Sequence, residues 1–187
     1  GSEMCIRDRH NILPLYSRLT RVLSNLNRRY DFEIVFTDNS SQDESWSVIK
    51  GLAKRDPRVK GVRFSTDIGF QNSLINNFRI CKGSAVFQLD ADLQDPPEML
   101  GIFLEKWHEG YKVVFGIRQT RKENLFINSV RKLGYWFIDK ISAHQIPRNV
   151  GDFRLVDRKI VDMVIKTRTP QPYLRGLIAG LGFRQCG

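Results

Sequence analysis

Asp90-Ala91-Asp92-Leu93-Gln94-Asp95-Pro96-Pro97-Glu98 places four carboxylates and one amide directly behind the apolar run Ala85-Val86-Phe87-Gln88-Leu89. A strand ending in Asp90 and Asp92 carries both carboxylates on one face, two residues apart. Hard divalent cations such as Mg2+ and Mn2+ take oxygen ligands. When only one or two carboxylates hold them, they keep room for waters and substrate phosphates. The segment therefore reads as a site for a metal ion together with a diphosphate. Asp is also a turn former where a strand runs into a loop, but Gln94, Asp95 and the helix-starting Pro96-Pro97-Glu98 favour the site.

The segment resembles the metal-binding segment of family-2 inverting glycosyltransferases of the GT-A fold. It is most similar to the polyprenyl-phosphate sugar transferases, the group that includes dolichol-phosphate mannose synthase. Further segments agree in order and spacing: Phe32 to Asp43, then Gly151-Asp152-Phe153-Arg154-Leu155, then Leu174-Arg175-Gly176-Leu177. The likeness runs from about residue 10 to the end of the chain.

The resemblance implies that Asp90, Asp92 and Gln94 hold Mg2+ or Mn2+ and the donor phosphates, and that Asp38 hydrogen-bonds the nucleobase. An Asx turn or a helix cap leading into Asp43-Glu44 is the structural alternative for Asp38. The family commonly has a second Asp where Asn39 stands and Gly where Ser40 stands. Asp67, in Thr66-Asp67-Ile68-Gly69-Phe70-Gln71, occupies a donor-binding segment that has Asn in relatives; a plain helix start is the alternative. Asp152 aligns with the carboxylate assigned to catalysis, with Arg154 beside it. A lipid-phosphate acceptor is largely dianionic at neutral pH and needs no strong base. Asp152 would then orient the acceptor or Arg154, or offset charge at the anomeric centre. A hydroxyl acceptor would make it the general base, and a purely structural Asp152–Arg154 pair is the third reading.

Arg118 and Arg121 follow a predicted strand, with Lys122 adjacent. Guanidinium forks suit phosphate oxygens, so the two read as acceptor-phosphate ligands. Arg175, within its family-like segment, serves the diphosphate, the lipid phosphate or the cap of a buried helix end.

The elements that must position these residues follow from periodicity. A helix is predicted from Leu13 to about Arg28, with strand Phe32–Thr37 after it. Then come a helix over Glu44–Arg55, a strand Val59–Phe64, a helix Gly69–Cys81, the strand Ala85–Leu89, a helix Pro97–His108 and a strand Lys112–Gly116. Alternation of this kind implies an α/β, Rossmann-like, mostly parallel sheet whose ligands bind beyond the carboxyl ends of its strands. Residues 1–9 match neither a strand nor the family and read as a non-family segment or scar. The family's first strand is therefore expected to be lacking. Residues 10–187 read as one catalytic domain that stops before possible C-terminal membrane helices.

With 187 residues and 41% hydrophobic content, the chain can bury one good core. A net charge of +10 points to anionic partners, and the scatter of arginines at loop ends favours small anions over nucleic acid. Three widely spaced cysteines, Cys5, Cys81 and Cys186, predict reduced thiols rather than a disulfide framework. No apolar run approaches the ~20 residues of a membrane span. Leu125 to Ser142 forms a basic amphipathic stripe that either lies in a membrane interface or covers a core.

The expected function is metal-dependent, inverting transfer of a sugar from a nucleoside-diphosphate sugar to polyprenyl phosphate at the cytoplasmic membrane face. The alternatives are a transferase acting on a saccharide hydroxyl and a non-catalytic module that binds anions or nucleic acid.

Overall fold

The computed structural model describes residues 9–117, 150–167 and 172–187. The expectations for residues 1–8, Arg118, Arg121, Lys122 and the stripe 125–142 lie outside the described residues.

Helix α1 spans Arg9–Leu26 and buries Ile12, Leu15, Leu19 and Leu23, the three- and four-residue spacing of one helical face. It starts before the predicted Leu13 and contains Pro14. Strand β1 (Ile34–Asp38), α2 (Ser45–Arg55), β2 (Val59–Arg63), α3 (Phe70–Ile80) and β3 (Ala85–Gln88) follow in the predicted order. The predicted helix from Pro97 is a 3-10 turn, Pro97–Met99, that continues into α4, Leu100–His108. Next come β4 (Val113–Ile117), β5 (Val150–Asp157), α5 (Arg158–Lys166), α6 (Leu174–Gly180) and the short β6 (Gln185–Cys186).

β1 and β2 run parallel, from Ile34 opposite Val59 to Asp38 opposite Arg63. The other strands form a four-stranded sheet in the order β3-β5-β4-β6. β4 and β6 are parallel, but β5 is antiparallel to both β3 and β4, so the sheet is mixed. Sequence alternation did not reveal β5, because Asp152 and Arg154 interrupt its apolar pattern. Its antiparallel insertion between β3 and β4 does not follow the βαβ rule from which a parallel sheet was expected. Among the described residues β1 pairs only with β2 and β3 only with β5, so each has one unpaired edge.

The sheet carries a core on each face. On one side α1, α2 and α4 pack against Ile34, Phe36, Phe153 and Leu155. Phe87, Phe103 and Phe153 meet there with ring centroids 5.0 to 5.6 Å apart, the edge-on and tilted arrangement aromatic quadrupoles favour. On the other side α3, α5 and α6 close over Val86, Val113, Phe115 and Val156. Strand alternation then assigns Asp152 and Arg154 to the face of Val156.

Asp157 joins the layers. Its Oδ1 caps α5 by accepting from Lys159 N at 2.9 Å, and its Oδ2 accepts from Trp107 Nε1 and Lys112 Nζ, both at 2.8 Å. Cys81 and Cys186 are free thiols, and burial together with the nearby Glu33 charge pushes the Cys81 thiol up to about 11.

Candidate active site

β3 ends at Gln88, so Asp90 and Asp92 lie just beyond it rather than on the strand. The chain reverses there through Leu93, whose φ of 63° is left-handed. Asp92 Oδ1 stabilises the reversal by accepting from Gln94 N at 2.9 Å. The turn role that the sequence allowed for Asp92 is therefore filled by one oxygen, and Oδ2 takes no part in it. Among the described residues no three His, Cys, Asp or Glu side chains converge into a metal cage. A donor set of two carboxylates and the Gln94 amide still fits a hard cation that completes its shell with phosphate oxygens and water. It does not fit the nitrogen and sulfur shell of structural zinc.

Asp38, at the carboxyl end of β1, is 3% exposed. Its Oδ1 accepts from Ser41 N at 2.9 Å, closing an Asx turn through left-handed Ser40 (φ 67°). Arg63 Nε stands 3.1 Å from Oδ2 without the alignment of a hydrogen bond, and Arg63 Nη2 donates to Ser41 O at 2.8 Å. Asp67 lies on the adjoining loop. Its Oδ1 accepts from Asn39 Nδ2, and from Gly69 N at 2.8 Å. Gly69, at φ 80°, opens α3 in a conformation that side chains resist.

Asp152 and Arg154 are both buried in β5. Arg154 Nη2 donates to Asp152 Oδ1, and to Gly151 O at 3.1 Å. Arg175 reaches Asp152 from α6, with Nη2 2.7 Å from Oδ2 and Nε 3.2 Å from Oδ1. Arg175 is therefore an ion partner of the central carboxylate, not the cap of a buried helix end. Its basicity rises chiefly through the Asp152 hydrogen bond, with Asp90 adding a further pull. Burial is the first influence on Arg154 and lowers its basicity despite the Asp152 charge.

A run of polar contacts links these groups. Asn39 holds Asp67, Asp67 holds the first residue before α3, and Gln71 Oε1 in the first turn of α3 accepts from Leu174 N at 2.9 Å. Leu174 opens α6 and precedes Arg175. The loops after β1 and β2 are thus tied to the Asp152–Arg175 pair. Sequence reasoning missed Arg63 and Gln88, and it placed Gln71 in the donor segment without its bond to Leu174. Gln88 stands opposite Arg154 across β3 and β5. Its amide atoms and Arg154 Nε are buried without hydrogen-bond partners among the described residues. The only local sign of Arg63 was a charged residue ending a strand; the Gln71 bond and Gln88 required the three-dimensional register.

The family model described as glycosyl transferase family 2 matches residues 11–164. The chain belongs to glycosyl transferase family 2. Within this family it is similar to the uncharacterized glycosyltransferase YkcC of Bacillus subtilis, 36% identical over 171 residues that make up 91% of this chain and 52% of that protein. It is 32% identical over 173 residues to the bactoprenol glucosyl transferase of Shigella phage SfV, covering 91% of this chain and 55% of the relative. The chain spans about half the length of the curated relatives it matches. Among solved structures, the mannosyltransferase PcManGT from Pyrobaculum calidifontis, in complex with GDP-Man and Mn2+, superposes with a TM-score of 0.57 at 20% identity, over 91% of this chain and 50% of that one. The likeness establishes the GT-A glycosyltransferase fold.

Proposed function

We propose that this family-2 domain transfers a sugar, with inversion, from a nucleoside-diphosphate sugar to polyprenyl phosphate. The observation that carries the reading is the setting of Arg175. Asp152 fixes its guanidinium, and the Asp90 charge acts on it. A fixed guanidinium beside carboxylates suited to a divalent cation is a place for phosphate oxygens. The bactoprenol glucosyl transferase activity named for relatives at 32% identity supports a lipid-phosphate acceptor.

In this reading the adjoining loops of Asp38 and Asp67 bind the nucleoside end of the donor. Asp90, Asp92 and Gln94 would hold Mg2+ or Mn2+, which when bound neutralises the leaving diphosphate. The acceptor phosphate oxygen forms the new bond to the anomeric carbon from the opposite face. The bond to the diphosphate oxygen breaks, and its electron pair leaves with the nucleoside diphosphate. No proton need move, because the attacking phosphate is already ionised. Arg118 and Arg121 are assigned to the acceptor phosphate at the cytoplasmic membrane face, and the basic segment 125–142 keeps both of its readings, membrane interface or core cover. Among the described residues no helix is long and apolar enough to cross a membrane.

The test is a screen of radiolabelled nucleotide sugars against undecaprenyl phosphate in detergent, with Mn2+ or Mg2+. Label should enter the lipid fraction and stop doing so when EDTA is added. Transfer to saccharide hydroxyls alone would overturn the lipid-phosphate reading.

A further inference from the structure

Gln88 and Arg154 lie side by side across β3 and β5, on one face of the sheet. Both are buried, at 8% and 3% exposed. On its other flank Arg154 meets Phe115 of β4, and along its own strand Asp152 and Val156 project from the same face. Arg154 Nη2 is engaged by Asp152 Oδ1 and Gly151 O. Its Nε has no hydrogen-bond partner among the described residues, and neither amide atom of Gln88 has one. Phe115 and Val156 offer a donor nothing. Beyond Asp152, the Gln88 amide is therefore the polar group that the sheet sets beside this Nε–H.

Buried polar atoms left without partners cost free energy, and native interiors satisfy them with protein groups or with ordered water. The two side chains are complementary, since Nε–H only donates and Oε1 only accepts. They make no direct hydrogen bond. A water between them accepts from Nε–H and donates to Oε1, and such a bridge is nearly as favourable as a direct bond. A guanidinium is planar and rigid, so fixing Nε also fixes the direction in which Nη2 meets Asp152. Burial lowers the basicity of Arg154 despite the Asp152 charge, so the cation gains from a further acceptor. Gln88 closes β3, and Asp90 follows two residues later.

We propose that Gln88 is a positioning residue: through a buried water it locks the guanidinium plane of Arg154, and with it the Asp152 carboxylate. The inference rests on the reading above that sets Asp152 at the transfer site. Gln88 touches no substrate itself, because its amide atoms are sealed from solvent.

Nuclear magnetic resonance of the isotope-labelled protein, without substrate, reads the bridge directly. The Nε–H of Arg154, assigned through its own side-chain connections, should exchange slowly and show cross-relaxation to a long-lived water. A parent without that water contact overturns the proposal whatever its activity. Gln88→Met removes both amide atoms at similar volume, and Gln88→Glu keeps an acceptor. Gln88→Met should lose the water contact and lower kcat by about fivefold to tenfold, the scale of one hydrogen bond. Both KM values should stay within about twofold of the parent. Gln88→Glu should keep the contact and most of kcat; a loss of kcat with the contact intact counts against the proposal. Parent-like kcat in a folded Gln88→Met that has lost the contact would make Gln88 a core residue only and sink the idea. Should Gln88→Met fail to fold, Gln88→Asn, whose amide is one methylene short of the bridge, takes its place with the same expectations. A parent that transfers only to saccharide hydroxyls defeats the functional reading and leaves the water contact standing. A missing contact in a parent that uses polyprenyl phosphate defeats only this inference.

Discussion

Asn39 and Asp67, on successive strand-end loops, are latched side chain to side chain, and Asn39 Oδ1 also accepts from the backbone N–H of the next residue, Ile68, at 3.1 Å. The latch holds the turn that presents Asp38 against the loop that opens α3. Asp67→Ala removes the Asn39 contact and the one to Gly69 N, each worth about 1 kcal/mol net. Nucleoside diphosphate affinity in the presence of Mn2+, measured by calorimetry, should fall about fivefold or more. Unchanged affinity across the nucleoside diphosphates would dissociate this loop from the donor.

Asp92→Asn tests the metal role without breaking the turn, because the amide oxygen can still accept from Gln94 N. Transfer at limiting Mn2+ should drop by about 100-fold or more, the scale of several kcal/mol of charge stabilisation, while the melting temperature stays near that of the parent. Parent-like turnover at low Mn2+ would remove Asp92 from the ligand set.

Acid should unfold the protein through its paired carboxylates. Asp56 is held well below the usual carboxylate range, first by the Arg58 side chain, whose Nε and Nη2 lie 3.0 and 2.8 Å from its oxygens. For Glu33, burial acts upward, but Lys60 and the backbone N–H groups of Lys82 and Gly83 outweigh it, so the net shift is down. Depressed folded values mean that the stability is fully present above the unfolded pKa of about 4 and is lost as pH falls through the folded values. Melting curves from pH 7 to pH 2 should fall steeply only below about pH 4. Asp56→Asn should melt lower at pH 7 and lose less on acidification. Parallel curves for parent and variant would remove Asp56 from the account.

Among the described residues β1 and β3 each have an unpaired edge, a place where a further strand would be expected to add. A strand-forming segment fused ahead of α1 should add backbone hydrogen bonds of about 1 kcal/mol each. It should raise the melting temperature by about 5 °C or more and strengthen donor binding. Equal melting temperature and affinity with and without the segment would show that the edges are not available to it.

The contiguous part of the site was legible in the sequence. Asp90, Asp92 and Gln94 stand within five residues, and an apolar run fixes the strand before them. Asp38 could be read as the end of a strand, with its turn role foreseen. What could not be read depended on strangers meeting in space. Arg175 finds Asp152 across 23 residues, and Leu174 finds Gln71 across 103. No periodicity records either. β5 was hidden for a related reason: two charged side chains replace apolar ones on one of its faces, and they are tolerated there because they neutralise each other. The same replacement that obscured the strand created the centre of the site.

The separation of β1 and β2 from the other four strands has a dynamic consequence. No strand ladder among the described residues joins the two sheets; α1, α3 and the contacts of Glu33 with the Lys82 and Gly83 N–H groups span them. Side-chain contacts yield separately, whereas a ladder yields as a unit. The β1–β2 pair shares its core with the other sheet through Ile34, Phe36 and Val59, and without a joining ladder its amides are expected to exchange before those of β3, β4 and β5, which hydrogen exchange would show. Under the proposed function, the loops assigned to the nucleoside would sit on the pair that opens more readily, and donor binding would then carry an ordering cost that phosphate binding alone does not.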